Sequence, residues 1–218
     1  MEPQFWHERW QQDDIGFHQA EFNRLLQTYW PTLDSHGSGL VFVPLAGKSR
    51  DMLWLRQQGH SVLGVELSSL AIDRFFAEAG LDPTVTRRGP FRYSVADRIT
   101  LLAGDFFDLT ADDVGDIVAV YDRAALIALP PDLRRRYAAH LGKILPTGSQ
   151  SLLISIDYPA GEIGGPPFAV PKTEVHALFD SAFDVTSLDT RDGLAASDNL
   201  RQRGVTRMDT TTYLLRRT

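Results

Sequence analysis

Apolar and polar positions along this chain follow two rhythms. Short apolar runs recur at 39–43, 61–65, 99–103, 116–121, 150–157, 182–188 and 207–215 and predict strands. Between most of them the period lengthens to that of an amphipathic helix, at 49–58, 68–79, 131–143 and 171–179. Strands alternating with helices predict a mostly parallel sheet with helices on both faces. No helical stretch separates the last two strands, so they should be antiparallel neighbours at one edge. Ahead of the sheet, Phe22, Leu25, Leu26 and Tyr29 recur at helical spacing and predict a helix over 18–30 that Pro31 stops. The aromatic-rich stretch 5–10 predicts another short helix, and Ser68 with Ser69 predicts a helix cap. Residues 86–97 and 157–171 read as irregular loops. The second follows a core strand, where α/β proteins place active-site loops.

The 218 residues suffice for one sizeable core, so a single α/β domain over 1–218 is expected, with 1–35 as an N-terminal helical lid and 36–218 as a Rossmann-like core. Net charge is −6, which argues against a nucleic-acid partner. The clusters Arg134-Arg135-Arg136 and Arg216-Arg217 read as solvated faces. There is no cysteine, which removes thiol nucleophiles, disulfides and cysteine-ligated metal sites and fits a cytoplasmic protein. The N-terminus has no apolar signal segment, and no apolar run is long enough to span a membrane. The histidines show no metal-ligand spacing, so no metal is expected.

The most informative stretch is 41–66, which reads as strand, tight turn, helix and strand. Its second strand ends on Glu66, about 20 residues past the turn, where such units hold the ribose hydroxyls of an adenosine. The turn Pro44-Leu45-Ala46-Gly47 narrows the ligand. Gly47-Lys48-Ser49 resembles the end of a phosphate-binding loop, but that loop needs a glycine where Phe42 stands. The dinucleotide fingerprint is also absent. A one-glycine, apolar turn suits a phosphate-free sulfonium ligand, S-adenosylmethionine; the plain alternative is a βαβ unit that binds nothing.

Further candidates stand at the ends of other strands. Asp105 follows the strand 99–103, where an acid meets adenine, and Phe106 is placed to cover the ring; the alternative for Asp105 is a turn or helix cap. Phe107 reads as core. Arg123, in Tyr121-Asp122-Arg123, is placed to hold a methionine carboxylate or an anionic acceptor, and its pKa is too high for a base. Its alternative is a salt bridge with Asp122 or another loop acid. Trp6 and Trp10 share a helix face. His18 is a candidate near the acceptor, and His60 reads as structural.

Together these residues resemble the thiopurine S-methyltransferase family in its bacterial form. The resemblance rests on Trp6-x3-Trp10, Ile15-Gly16-Phe17-His18-Gln19, Val43-Pro44-Leu45-Ala46-Gly47-Lys48-Ser49, Gly64-Val65-Glu66-Leu67-Ser68, Gly104-Asp105-Phe106-Phe107 and Tyr121-Asp122-Arg123-Ala124-Ala125-Leu126, in order over nearly the whole chain. It implies a class I S-adenosylmethionine-dependent fold with a seven-stranded, mostly parallel sheet. It implies methylation of sulfur on small aromatic or heteroaromatic thiols such as thiopurines, with selenium and tellurium species as further acceptors. It implies cofactor contacts from Trp10, Leu45, Glu66 and Arg123, with Asp105 and Phe106 near the adenine. Phe17 would line the acceptor site, and Arg201 or Arg203 would meet the acceptor. A cytoplasmic monomer acting on a small molecule is expected, with neither nucleic acid nor membrane as partner. The residues alone leave two other classes open, an O- or N-methyltransferase and a non-catalytic S-adenosylmethionine-binding module.

Overall fold

A computed structural model describes residues 3–15, 19–34 and 39–218. Two compact units follow each other along the chain, 1–121 and 122–218.

In the first unit, α1 (Pro3–Gln11) buries a single residue, Trp10. Helix α2 (Arg24–Tyr29) begins later than its periodicity predicts. The Asn23 side chain accepts the N–H groups of Leu25 and Leu26, and this cap sets the start. The βαβ unit follows as β1 (Leu40–Val43), α3 (Asp51–Gln57) and β2 (Ser61–Glu66). Helix α4 (Ser69–Glu78) is capped by Ser68, whose hydroxyl accepts the Ala71 N–H. Then come β3 (Thr84–Arg88), β4 (Phe91–Ala96), β5 (Ile99–Ala103), α5 (Ala111–Val114) and β6 (Ile117–Asp122), whose last residue opens the second unit. The strand order is β3-β4-β5-β2-β1-β6. Strands β5, β2, β1 and β6 are parallel, while β3 and β4 are antiparallel additions. Val41, Phe42 and Val62 are fully buried in the parallel centre. Parallel strands bury both faces, and that is why they read as continuous apolar runs.

The hairpin β3–β4 replaces the irregular loop expected at 86–97, and with it the described residues form nine strands where seven were expected. Strand β3 is exposed along its whole length. An edge strand with no buried face needs no hydrophobic alternation, and arginines are tolerated on it. The pattern of Arg87, Arg88 and Arg92 around Gly89-Pro90 therefore carried no strand signal.

The second unit runs α6 (Ala125–Ala128), α7 (Pro131–Ile144), β7 (Gln150–Asp157), α8 (Lys172–Phe179), β8 (Phe183–Asp192), α9 (Asp198–Gln202) and β9 (Asp209–Arg217). Strand β9 lies between β7 and β8 and is antiparallel to both. The antiparallel pairing of the last two strands agrees with expectation, but α9 stands between them in sequence. It is too short to leave a period. Arg134 also departs from the expected solvated face. It is buried, donating to the Leu129 carbonyl (2.8 Å), the Ala169 carbonyl (3.2 Å) and Glu174 (2.6 Å). Its neighbours Arg135 and Arg136 are exposed, as expected. Arg216 is exposed too, while Arg217 is half-buried and donates to the Gly142 and Ala182 carbonyls.

Candidate active site

The turn after β1 is built around Glu66. Ala46 donates its N–H to the Val65 carbonyl (2.9 Å), which ties the turn to β2. The Glu66 carboxylate then accepts the Gly47 N–H at one oxygen (2.9 Å) and the Ser68 N–H at the other (2.8 Å). One side chain thus joins the loops at the ends of β1 and β2. Glu66 is 7% exposed, and burial raises its pKa, while the N–H groups of Ser68, Gly47 and Leu67 oppose that shift. A carboxylate offers about four lone-pair sites, so the Gly47 and Ser68 bonds leave acceptor capacity for ligand hydroxyls. Adenosine ribose has a pair of these.

The turn backbone is unusual. Leu45 has φ of +46° and Gly47 +54°; a non-glycine residue there is strained, and such strain gathers at ligand sites. Gly64 of β2 allows the turn to pack closely, because a Cβ there would stand 3.0 Å from that of Ala46 and 2.6 Å from Leu101. Lys48 does not cradle an anion. It is buried and paired with Glu78 of α4 at 2.6 Å.

Trp10 lies against this turn, since a Cβ on Gly47 would be 3.3 Å from the indole. Arg74 of α4 holds the end of α1 there, donating to the Trp10 carbonyl (3.1 Å) and to Asp13 (2.8 Å). At the end of β5, Gly104 donates to the Glu66 carbonyl (3.0 Å). Trp10, the Leu45 turn, Glu66 and the start of the Asp105 turn therefore form one neighbourhood. Asp105 does what its plain alternative predicts: an oxygen accepts the Phe107 N–H (2.9 Å) and caps the 3₁₀ turn Phe106–Asp108. Phe106 is 5% exposed and stacks on Phe42 with centroids 6.5 Å apart. Phe107 is half-buried, so Phe106 is the core residue of the two. Phe17 and His18 lie outside the described residues. His60 is structural as read: it is buried and accepts the Trp30 indole N–H at 3.1 Å.

The periodicity also missed Asp51. It is 2% exposed, and its carboxylate accepts the Asn23 N–H (2.8 Å) and the Tyr121 hydroxyl (2.9 Å). It thereby fixes the start of α2 to α3 and β6. A carboxylate in the first turn of a helix reads as a surface residue, so nothing local marked it.

In the second unit Arg123 is half-buried. Its expected rival partner, Asp122, is occupied elsewhere. Asp122 is 3% exposed and accepts the Tyr137 hydroxyl (2.6 Å) and the N–H groups of Ala125 (3.1 Å) and Leu126 (3.3 Å). Burial pushes its carboxyl up to about 6, against those three donors. Among the described residues no acid pairs with Arg123. Arg201 is engaged by Asp198 and by the Ala195 carbonyl. Arg203 donates to the Pro166 carbonyl (3.0 Å), beside Tyr158, whose hydroxyl donates to the Pro167 carbonyl (2.8 Å). The two hold the loop after β7 over a small apolar cluster of Ile156, Tyr158, Leu200, Val205 and Met208. Tyr158 carried no sequence signal beyond its place after a core strand. No cluster of metal-ligating side chains and no helix long and apolar enough to cross a membrane occurs among the described residues.

The family model described as thiopurine S-methyltransferase matches residues 1–218. The chain belongs to the thiopurine S-methyltransferase family. It is 48% identical to a thiopurine S-methyltransferase of Methylococcus capsulatus over 217 residues, covering 99% of this chain and 98% of that one. It is 49% identical to one of Nitrosospira multiformis, covering 99% and 98%. Among solved structures, an S-adenosylmethionine-dependent methyltransferase of Anabaena variabilis matches with a TM-score of 0.63 at 12% identity, over 99% of this chain and 95% of that one. The 1,6-didemethyltoxoflavin-N1-methyltransferase of Burkholderia thailandensis matches with a TM-score of 0.62 at 16% identity, over 99% and 87%. This family member thus has the α/β fold of S-adenosylmethionine-dependent methyltransferases.

Proposed function

We propose that this chain transfers the methyl group of S-adenosylmethionine to the sulfur of small aromatic or heteroaromatic thiols such as thiopurines. The observation that carries the reading is the Glu66 clamp, a buried carboxylate with spare acceptor capacity at the end of β2, in a member of this family. Bound S-adenosylmethionine supplies an already activated methyl group, so the chain's task is to bind, orient and exclude water, an alignment worth up to about 7–11 kcal/mol.

Glu66 takes the ribose hydroxyls, and Leu45 and Trp10 border the same turn. Asp105 and Phe106 serve the adenine. Arg123 provides a cation for the methionine carboxylate or for an anionic sulfur. Phe17 lines the acceptor site, and Arg201 or Arg203 meets the acceptor. Soft selenium and tellurium nucleophiles are further acceptors in this reading. We read 1–218 as one methyltransferase domain, with 1–35 as a lid and 36–218 as the core, acting as a cytoplasmic monomer. The net charge of −6 supports a small molecule rather than a nucleic acid as substrate.

The test is methyl transfer from S-adenosylmethionine to a panel of aromatic thiols, phenols and amines, with products identified by mass. Thiols should be methylated fastest. A panel with no thioether product would refute the reading.

A further inference from the structure

Arg123 stands beside an acid in sequence, yet the acid does not take it. Asp122 ends β6, and three other groups donate to its carboxylate. Ala125 and Leu126 donate their N–H groups at 3.1 and 3.3 Å to one oxygen, and Tyr137 of α7 donates its hydroxyl at 2.6 Å to the second. Asp122 and Tyr137 are both buried, at 3% and 0% exposure. An arginine next to a carboxylate with free lone pairs would fold back onto it, because a charge-assisted bond is the strongest one available nearby.

We propose that the buried Asp122–Tyr137 pair is a positioning device for Arg123. It takes three of the roughly four acceptor positions of the neighbouring carboxylate, ties that carboxylate to the start of α6 and to α7, and so keeps the guanidinium unpaired for the methionine carboxylate of the bound donor. Neither Asp122 nor Tyr137 touches the ligand in this scheme; both act through Arg123. The inference rests on the proposed function, since it takes the donor to be S-adenosylmethionine.

The decisive variant is Tyr137→Phe, which removes the hydroxyl and frees one Asp122 oxygen to capture Arg123. Calorimetry with S-adenosylhomocysteine should then show affinity falling at least fivefold. 5′-Methylthioadenosine has the adenosine but no carboxylate, and its affinity should stay within twofold. Adding Asp122→Asn removes the competing charge, so the double variant should recover S-adenosylhomocysteine binding to within about twofold of the parent. General damage to the fold would weaken both ligands and would not be rescued. Equal losses for both ligands, no loss for either, or a double variant no better than Tyr137→Phe would overturn the proposal.

A measurement on the unaltered protein covers the case in which Tyr137→Phe does not fold. Nitrogen-15 spectra, with the Arg123 Nε–H assigned through Arg123→Lys, should show fast exchange with water in the free protein and protection on adding S-adenosylhomocysteine. Protection already present in the free protein would show that Arg123 is paired, and would overturn the idea. The two readings fail separately. A parent enzyme that neither binds S-adenosylhomocysteine nor methylates thiols refutes the proposed function. An active parent with an insensitive Tyr137→Phe refutes only the positioning role.

Discussion

At the scale of single residues, buried carboxylates decide most of the behaviour. Glu66 holds two backbone N–H groups and has acceptor capacity to spare, so in the proposed function structure and binding depend on the same group. Losing charge-assisted hydrogen bonds to the ribose should cost about 1.5–3 kcal/mol. Glu66→Ala is therefore expected to weaken S-adenosylhomocysteine by more than tenfold in calorimetry, and also to lower Tm, because the Gly47 and Ser68 N–H groups lose their partner. Unchanged affinity in a folded variant would remove Glu66 from the site. Asp122 makes a different prediction. Its carboxyl is pushed up to about 6 by burial, from 3.8 in the unfolded chain. The folded state thus binds that proton more tightly. Its stabilising effect is fully present below about pH 3.8 and is lost as pH rises through about 6. The shift of roughly two pH units corresponds to about 3 kcal/mol. Burial raises Glu66 in the same direction. Comparing urea unfolding of the parent and Asp122→Asn at pH 4 and 7 isolates Asp122. The parent should lose about 2–2.5 kcal/mol more than the variant over that interval, and parallel losses would contradict the assignment. The place of Glu66 at the end of β2 was legible in sequence because its strand and turn are local. Its donors, and the reach of Tyr137 to Asp122, were not, because contacts between distant positions leave no periodic mark.

At the scale of elements, legibility followed burial. Strands β1, β2, β5 and β6 were readable because most of their residues are buried and their runs are mostly apolar, with Val118 of β6 the exposed exception. Helices α4 and α7 were readable from one apolar face. The hairpin β3–β4 was not, because β3 buries nothing, and α9 was not, because five residues give little more than one turn. The start of α2 was misread because Asn23, not the apolar spacing, sets it. The same reasoning applies to α1. It buries one residue, Trp10, and is held at its end by Arg74. A helix with so few buried contacts belongs to the low-stability end of a structure. Ligand binding beneath Trp10 should therefore slow hydrogen exchange across residues 3–11, as expected of a segment that closes over a site. Equal protection with and without S-adenosylhomocysteine would sink the lid assignment. Arg74→Ala should speed exchange in the same segment without ligand while leaving β1 and β2 unchanged. The Arg74–Asp13 pair is substantially exposed, so the global cost should be no more than about 1 kcal/mol.

At the scale of the whole molecule, the question is which nucleophile the site favours. The candidate residues of the second unit are arginines, Arg123, Arg201 and Arg203, and an arginine cannot take a proton near neutral pH. A site equipped with cations rather than a base works best on a nucleophile that is already ionised or nearly so. Thiols and thiones conjugated to a heterocycle meet that condition, while a phenol with pKa near 10 does not. The sulfur lone pair attacks the methyl carbon, the bond to the sulfonium breaks, and the products are a thioether and S-adenosylhomocysteine. In this reading Arg201 or Arg203 would lower the cost of presenting the anionic sulfur, while Arg123 orients the donor through its carboxylate. Arg123→Lys keeps the charge but loses the planar fork. It should lower kcat/KM for thiols by roughly tenfold, about 1.4 kcal/mol. The direct comparison sets thiopurines and 2-mercapto-heterocycles against their hydroxyl analogues at pH 7, with products identified by mass spectrometry. Thiols should be methylated and their hydroxyl analogues left largely untouched. Equal rates for both sets would make this chain an O-methyltransferase as much as a thiol one, and would mean that a base outside the arginine set takes the proton.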